Sequence, residues 1–214
     1  MVINGCDMDT RKKKIKEGYV DYNITYLVDA RENPLVNLLP NNMTVKFKNH
    51  KSVSKIEGWM GFFSSCYISN RKKGTNLTLF KILDKKYYYQ GNIDEPPYGF
   101  RDYSDIKIKF TDETKLINGY LCKKAIATFP ETGYPGFDIY YTNQIDIVDP
   151  NWNNQFKEID GVLMEFQIEM NDIGMLLQVN EIKQKEIPDS EFDIPPDYVR
   201  VSREKMEEIL GELL

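Results

Sequence analysis

The sequence predicts a mainly β (α+β) protein: a single large curled antiparallel sheet, a half-barrel of about ten strands, with a short inserted helix and a C-terminal helix. Three observations predict it. Tyr, Phe, Ile and Val recur in short runs broken by Asn, Gly, Asp and Pro, the pattern of many strands and few helices. Several of these runs alternate strictly between apolar and polar residues, which gives each strand one wet face. The helical material is scant, so a long apolar face has too little to cover it and must curl on itself.

The chain begins with residues 1–17, expected to be a lipobox remnant and a tether. Ile3-Asn4-Gly5-Cys6 fits the end of a bacterial lipoprotein signal: an aliphatic residue, a variable one, a small one, then cysteine. Small side chains there let the signal peptidase approach the backbone, and the Cys6 sulfur carries the lipid anchor. The charged run "RKKKIKEG" follows at once, and a charge run in a tail is ordinarily just solvated.

The domain is expected to occupy residues 18–214. In "YVDYNITYLV" (19–28), Val20, Tyr22, Ile24, Tyr26 and Val28 share one face while Asp21, Asn23 and Thr25 share the other. "NMTVKFKN" (42–49) sets Met43, Val45 and Phe47 against Thr44, Lys46 and Lys48. "SDIKIKFTD" (104–112) sets Ile106, Ile108 and Phe110 against Lys107 and Lys109. Each is a half-buried antiparallel strand. Further strands are expected over 52–57, 62–69, 76–83, 86–90, 120–129, 137–142, 161–167 and 175–187, separated by turn chemistry such as "NRKKG", "DETKLING", "PETGYPG" and "NDIG". The last of these reads as a hairpin with Gly174 at the positive-φ position.

Three stretches are helical or capping. "NPLVNLLP" (33–40) starts with a proline suited to a first turn and ends at another. "DPNWNNQFKEID" (149–160) is a connection with one turn of helix. "VSREKMEEILGELL" (201–214) is the strongest, with Ser202 as cap and Met206, Ile209, Leu210 and Leu213 on one face.

Composition excludes several classes. Hydrophobic residues at 41% and charged residues at 29% suit a globular domain with a packed core. A net charge of −5 with both signs interspersed excludes nucleic acid as the main partner, because phosphate binding needs a concentrated basic surface. No apolar run approaches the ~20 residues of a membrane-spanning helix. With Cys6 lipidated, Cys66 and Cys122 remain: in an oxidising envelope they are available to bridge, and the alternative is two separate buried thiols.

The segments "TDETKLINGYLCKKAIATF", "FDIYYTNQI", "FKEIDGVLMEF" and "EFDIPPDYVRVS" resemble a family of Bacteroidetes envelope proteins, the GLPGLI-like and related uncharacterised domains grouped with the LolA/LolB-like lipoprotein-carrier fold. The family pattern falls on Thr111, Lys115, Ile117, Gly119, Tyr120, Cys122 and Ala125, then on Tyr141 and Thr142, Gly161 and Leu163, and Phe192, Ile194 and Pro195. The GLPGLI hexamer itself is replaced by "EIDGVLM", which points to a sister branch. The resemblance spans most of residues 18–201. It implies a LolA-like half-barrel in the cell envelope and supplies no catalytic residue.

The functional expectation is a non-enzymatic, lipid-anchored periplasmic lipoprotein, its signal peptide removed. It would bind a hydrophobic ligand (a lipid, an acyl chain or a lipoprotein) in the concave face of the sheet. Val20, Tyr22, Ile24, Met43, Val45, Phe47, Ile106 and Ile108 are the expected lining; the alternative for that face is a fully packed core. The partners are that ligand and the membrane through the anchor, with no cofactor and no metal. A second reading is a protein- or glycan-interaction module, with Tyr87-Tyr88-Tyr89, Tyr98, Phe100 and Tyr103 as its contact surface or as a mobile lip over the cleft. The third, a hydrolase, would need Cys122 activated or two of the acids at 94–95, 102–105 and 112–113 facing across a cleft. His50, the single histidine, lies in a polar turn.

Overall fold

Alternation sets the first long strand. Val20, Tyr22 and Ile24 are buried, and the polar residues between them face outward. The computed structural model describes residues 13–28, 31, 36–37, 39–58, 61–95, 99–101, 103–147, 149–170 and 172–211. Among these the strands are β1 (Lys13–Lys14), β2 (Glu17–Tyr26), β3 (Asn42–Lys48), β4 (Lys51–Glu57), β5 (Phe63–Asn70), β6 (Thr75–Ile82), β7 (Lys85–Asn92), β8 (Lys107–Ile117), β9 (Tyr120–Thr128), β10 (Phe137–Thr142), β11 (Ile145–Asp146), β12 (Val162–Met170), β13 (Ile173–Gln184) and β14 (Val199–Arg200). One helix, α1 (Arg203–Gly211), follows.

Twelve of the strands form one open sheet in the order β14-β7-β6-β5-β4-β3-β2-β13-β12-β10-β9-β8. All its pairings are antiparallel except β14 on β7. β1 and β11 make a separate parallel pair. The sheet is two meanders of sequential strands joined at a single seam, β2 on β13. It is strongly bent: Ser65 of β5 and Phe166 of β12 line one cavity, although five strand spacings, about 24 Å if flat, separate their strands.

The concave face carries the main core, in which Phe156, Ile159, Met164, Met175, Leu177 and Ile139 are fully enclosed. The convex face of β4–β6 is apolar too, with Val53, Ile68 and Leu79 covered by Ile187 and Phe192 of the segment after β13. That segment then rounds the sheet edge as β14. Beyond it α1 returns to the concave side, where Met206 and Ile209 pack on Phe80 beside Tyr87 and Tyr89. Ser202 caps α1 as expected, its Oγ accepting the Lys205 N–H at 3.2 Å.

Several expectations are corrected. The sheet holds twelve strands rather than about ten; the one that no expected run covers is β14, at the edge beside β7. "DETKL" is not a turn: β8 runs through it with a register shift between Phe110 and Thr114, and only Asn118 and Gly119 reverse the chain, with φ of 51° and 81°. In the β12–β13 hairpin the positive φ falls on Asp172, at 62°, while Gly174 pairs with Glu169 inside the ladder. The tether boundary at residue 17 falls inside the fold, since Lys13 and Lys14 pair with Ile145 and Asp146 and Ile15 is buried. Of the expected helix over 33–40 half the residues are described, with the Leu39 N–H donating to the Val36 carbonyl at 3.1 Å, and the other half lie outside the described residues, as do Leu213 and the anchor residue Cys6.

Candidate functional site

The bend leaves a cavity of about 620 Å³ against the concave faces of β2–β5. Its roof is the crossover of residues 149–156, which the sequence pins down at four points. Asn151, itself buried, donates from Nδ2 to the carbonyls of Ile159 (2.7 Å) and Gly161 (2.9 Å). Phe156, 1% exposed, stands edge-on to Phe166 with ring centroids 5.5 Å apart. Asn153 Nδ2 donates to Ser52 Oγ at 2.7 Å, tying the roof to β4. Arg71 pairs with Asp149 at 2.6 Å and stacks 5.7 Å from the Trp152 ring.

Register dictates the walls. Val20, Tyr22, Met43, Val45 and Phe47 form an apolar wall from β2 and β3, while Ser52, Ser54, Ser65 and Tyr67 face in from β4 and β5. The Tyr22 hydroxyl donates to the Leu163 carbonyl at 3.1 Å, and burial pushes its pKa far up. Burial also pushes Tyr67 up to about 12, its hydroxyl donating to the Glu95 carbonyl at 3.3 Å. Both phenols are therefore neutral across the physiological range. Ionisable side chains stay at the mouth: Lys16 and His50 are exposed, and Asp149 is held by Arg71. Lys51 turns to the convex face, bonding Asp189 at 2.7 Å with its ammonium 5.4 Å from the Phe192 ring.

Five of the eight residues expected to line a cleft, Val20, Tyr22, Met43, Val45 and Phe47, lie on this wall. Ile24 packs into the main core, and Ile106 and Ile108 lie against that core, the latter on β8 at the far sheet edge. The hydroxyl wall and the Trp152 roof were missed; the signal present was the Ser-x-Ser spacing of 52–54 at inward positions. Of the aromatic run, Tyr87 and Tyr89 lie against α1 and Tyr88 joins the convex cluster, so they form no lip, whereas Phe100 reaches the cavity. Tyr103 is buried among Phe129, Tyr134 and Phe137, and Tyr98 lies outside the described residues.

Cys66 and Cys122 are free thiols in different clusters, Cys66 on the convex side and Cys122, 0% exposed, in the main core, so no bridge joins them. Burial pushes Cys66 up to about 12 and Cys122 up to about 11. Neutral thiols are poor nucleophiles. Labelling with a thiol reagent at pH 8, mapped by peptide mass spectrometry, is expected to spare both positions in the folded protein and modify both in denaturant. The unfolded thiols ionise near 9.0, so their contribution to stability is fully present below that pH and is lost between about 9 and 12. Modification of Cys122 in the folded state at pH 8 would overturn this burial.

Asp105 accepts from Thr132 N–H and hydroxyl at 3.0 Å each; burial opposes its ionisation, but these bonds and one from Glu131 hold its carboxyl below the usual range. It is thereby committed to a loop. Among the described residues no group of three or more His, Cys, Asp or Glu side chains gathers that could hold a metal ion. No described helix is long and apolar enough to cross a membrane.

No family model matches the chain, so none stands behind the GLPGLI-like resemblance, and no curated protein matches it. Among solved structures the chain is similar to PNGF-II in its P21 crystal form, with TM-score 0.55 and 12% identity over 92% of this chain and 34% of that one. The C2 form of PNGF-II gives TM-score 0.55 and 13% identity over 92% and 33%. LprF from Mycobacterium bovis is matched at TM-score 0.32 and 12% identity, over 80% of this chain and 88% of that one. At these identities the PNGF-II likeness is one of fold, and this chain spans about a third of PNGF-II.

Proposed function

We propose that this protein is a non-enzymatic envelope lipoprotein that holds a hydrophobic ligand, a lipid or an acyl chain, in the concave face of its bent sheet. The cavity of about 620 Å³ with its continuous apolar wall carries this reading, and its size falls within the range of small-molecule sites. The cavity takes up only part of the inner face, the rest of which is packed core. Placement in the periplasm rests on Ile3-Asn4-Gly5-Cys6 and on the family resemblance of the sequence.

The test is organic extraction of natively purified protein followed by mass spectrometry, with titration of a fluorescent acyl probe. Near-stoichiometric lipid, or saturable probe binding, is the expected result; an empty extract together with no saturable binding would overturn ligand binding. The anchor is tested separately by detergent partition, which Cys6→Ala should abolish.

One observation favours an interaction module as second reading. Leu116 and Leu121 face each other across β8 and β9 at 71% and 50% exposure, an apolar pair on the sheet's edge hairpin.

A further inference from the structure

The two long walls of the cavity differ in kind, and the boundary runs between β3 and β4. Val45 lies opposite Ser54, and Phe47 opposite Ser52. One strand further, Tyr67 lies opposite Ser54 and Ser65 opposite Ile56. A strip of hydroxyls therefore runs beside a strip of hydrocarbon, both facing the same space. Among the described residues the charged side chains of the lining lie at its margin: Lys16 and His50 are exposed at the mouth, Lys51 is bound on the convex face, and Asp149 is paired with Arg71 at the rim. An ionised group drawn inside would shed its water and meet no opposite charge, a far larger penalty than a neutral polar group incurs. Neutral oxygens, by contrast, can exchange water for serine hydroxyls at little cost.

We infer that the cavity takes an uncharged amphiphile, apolar along one flank and bearing hydroxyl or ester oxygens along the other, as a monoacylglycerol does. This rests on the ligand-binding reading above and adds the polarity and charge of the ligand. The walls select against a free carboxylate or phosphate inside the chamber.

Three probes of equal tail length decide it: 1-monolauroylglycerol, methyl laurate and laurate, each displacing a fluorescent acyl probe at pH 8. The glyceride is expected to bind about tenfold more tightly than laurate, which is ionised at this pH. In the double variant Ser54→Ala/Ser65→Ala its advantage over the methyl ester should shrink roughly fivefold, the loss of two neutral hydrogen bonds. Laurate binding as tightly as the glyceride would overturn the inference, as would an unaltered glyceride-to-ester ratio in a variant with wild-type unfolding midpoint. Should the variant unfold, the wild-type ranking decides alone. Failure of all three probes to bind would instead sink the ligand-binding reading itself.

Discussion

Phe156→Ala is expected to lower the unfolding free energy by about 3–5 kcal/mol, the usual cost of emptying a buried aromatic site. The ring is 1% exposed and edge-on to both Phe166 and Phe137, at 5.5 and 6.4 Å. It fastens the end of the crossover to the main core, so its removal frees the roof as well as leaving a void. Chemical denaturation measures the first effect and acyl-probe titration the second, since a loosened roof weakens binding. A loss below about 1 kcal/mol would mean that the crossover is held by its polar contacts, Asn151 and Asn153, rather than by this ring.

Val45→Trp is expected to abolish acyl-probe binding, weakening it by more than tenfold. Val45 sits mid-wall on β3, between Val20 of β2 and Ser54 of β4, with its side chain at the cavity. An indole there occupies space the ligand needs. Because the added volume enters a void and not a close-packed core, the stability cost stays near the low end of the ~1–3 kcal/mol typical of overpacking. Unchanged probe binding in a folded Val45→Trp protein would place the ligand elsewhere.

Where one face of a strand is buried and the other wet, the sequence was legible. β2 and β3 could be drawn from alternation alone, while residues 137–142, a less regular run marked off by turn residues, match the structure at both ends. The two-residue strands β1, β11 and β14 have no period to detect and owe their pairing to neighbours brought up by the rest of the fold. β4–β6 are covered on both sides, by an apolar cluster on the convex face and with serines and Tyr67 turned to the cavity on the concave one, so alternation fails there; the convex cover, Ile187 and Phe192, arrives from more than a hundred residues away. The site was half legible for the same reason. Met43, Val45 and Phe47 announce a greasy face, but Ser54 and Ser65 are silent to hydropathy, and Ile108 looks equivalent to Val45 until the sheet order puts it at the far edge. The roof residues Asn151, Trp152 and Asn153 carry no period, and their role comes only from what they bridge.

The seam between β2 and β13 has a consequence for how the chain reaches this state. Each meander pairs strands close in sequence and can zip locally, but the seam unites residues such as Tyr19 and Glu181, 162 positions apart. Closure of so long a loop is a slow event, and until it happens two naked strand edges stand exposed. In concentrated refolding mixtures the β2 edge of one molecule meets the β13 edge of another and completes the identical ladder, so half-exchanged dimers are the misassembly this topology invites.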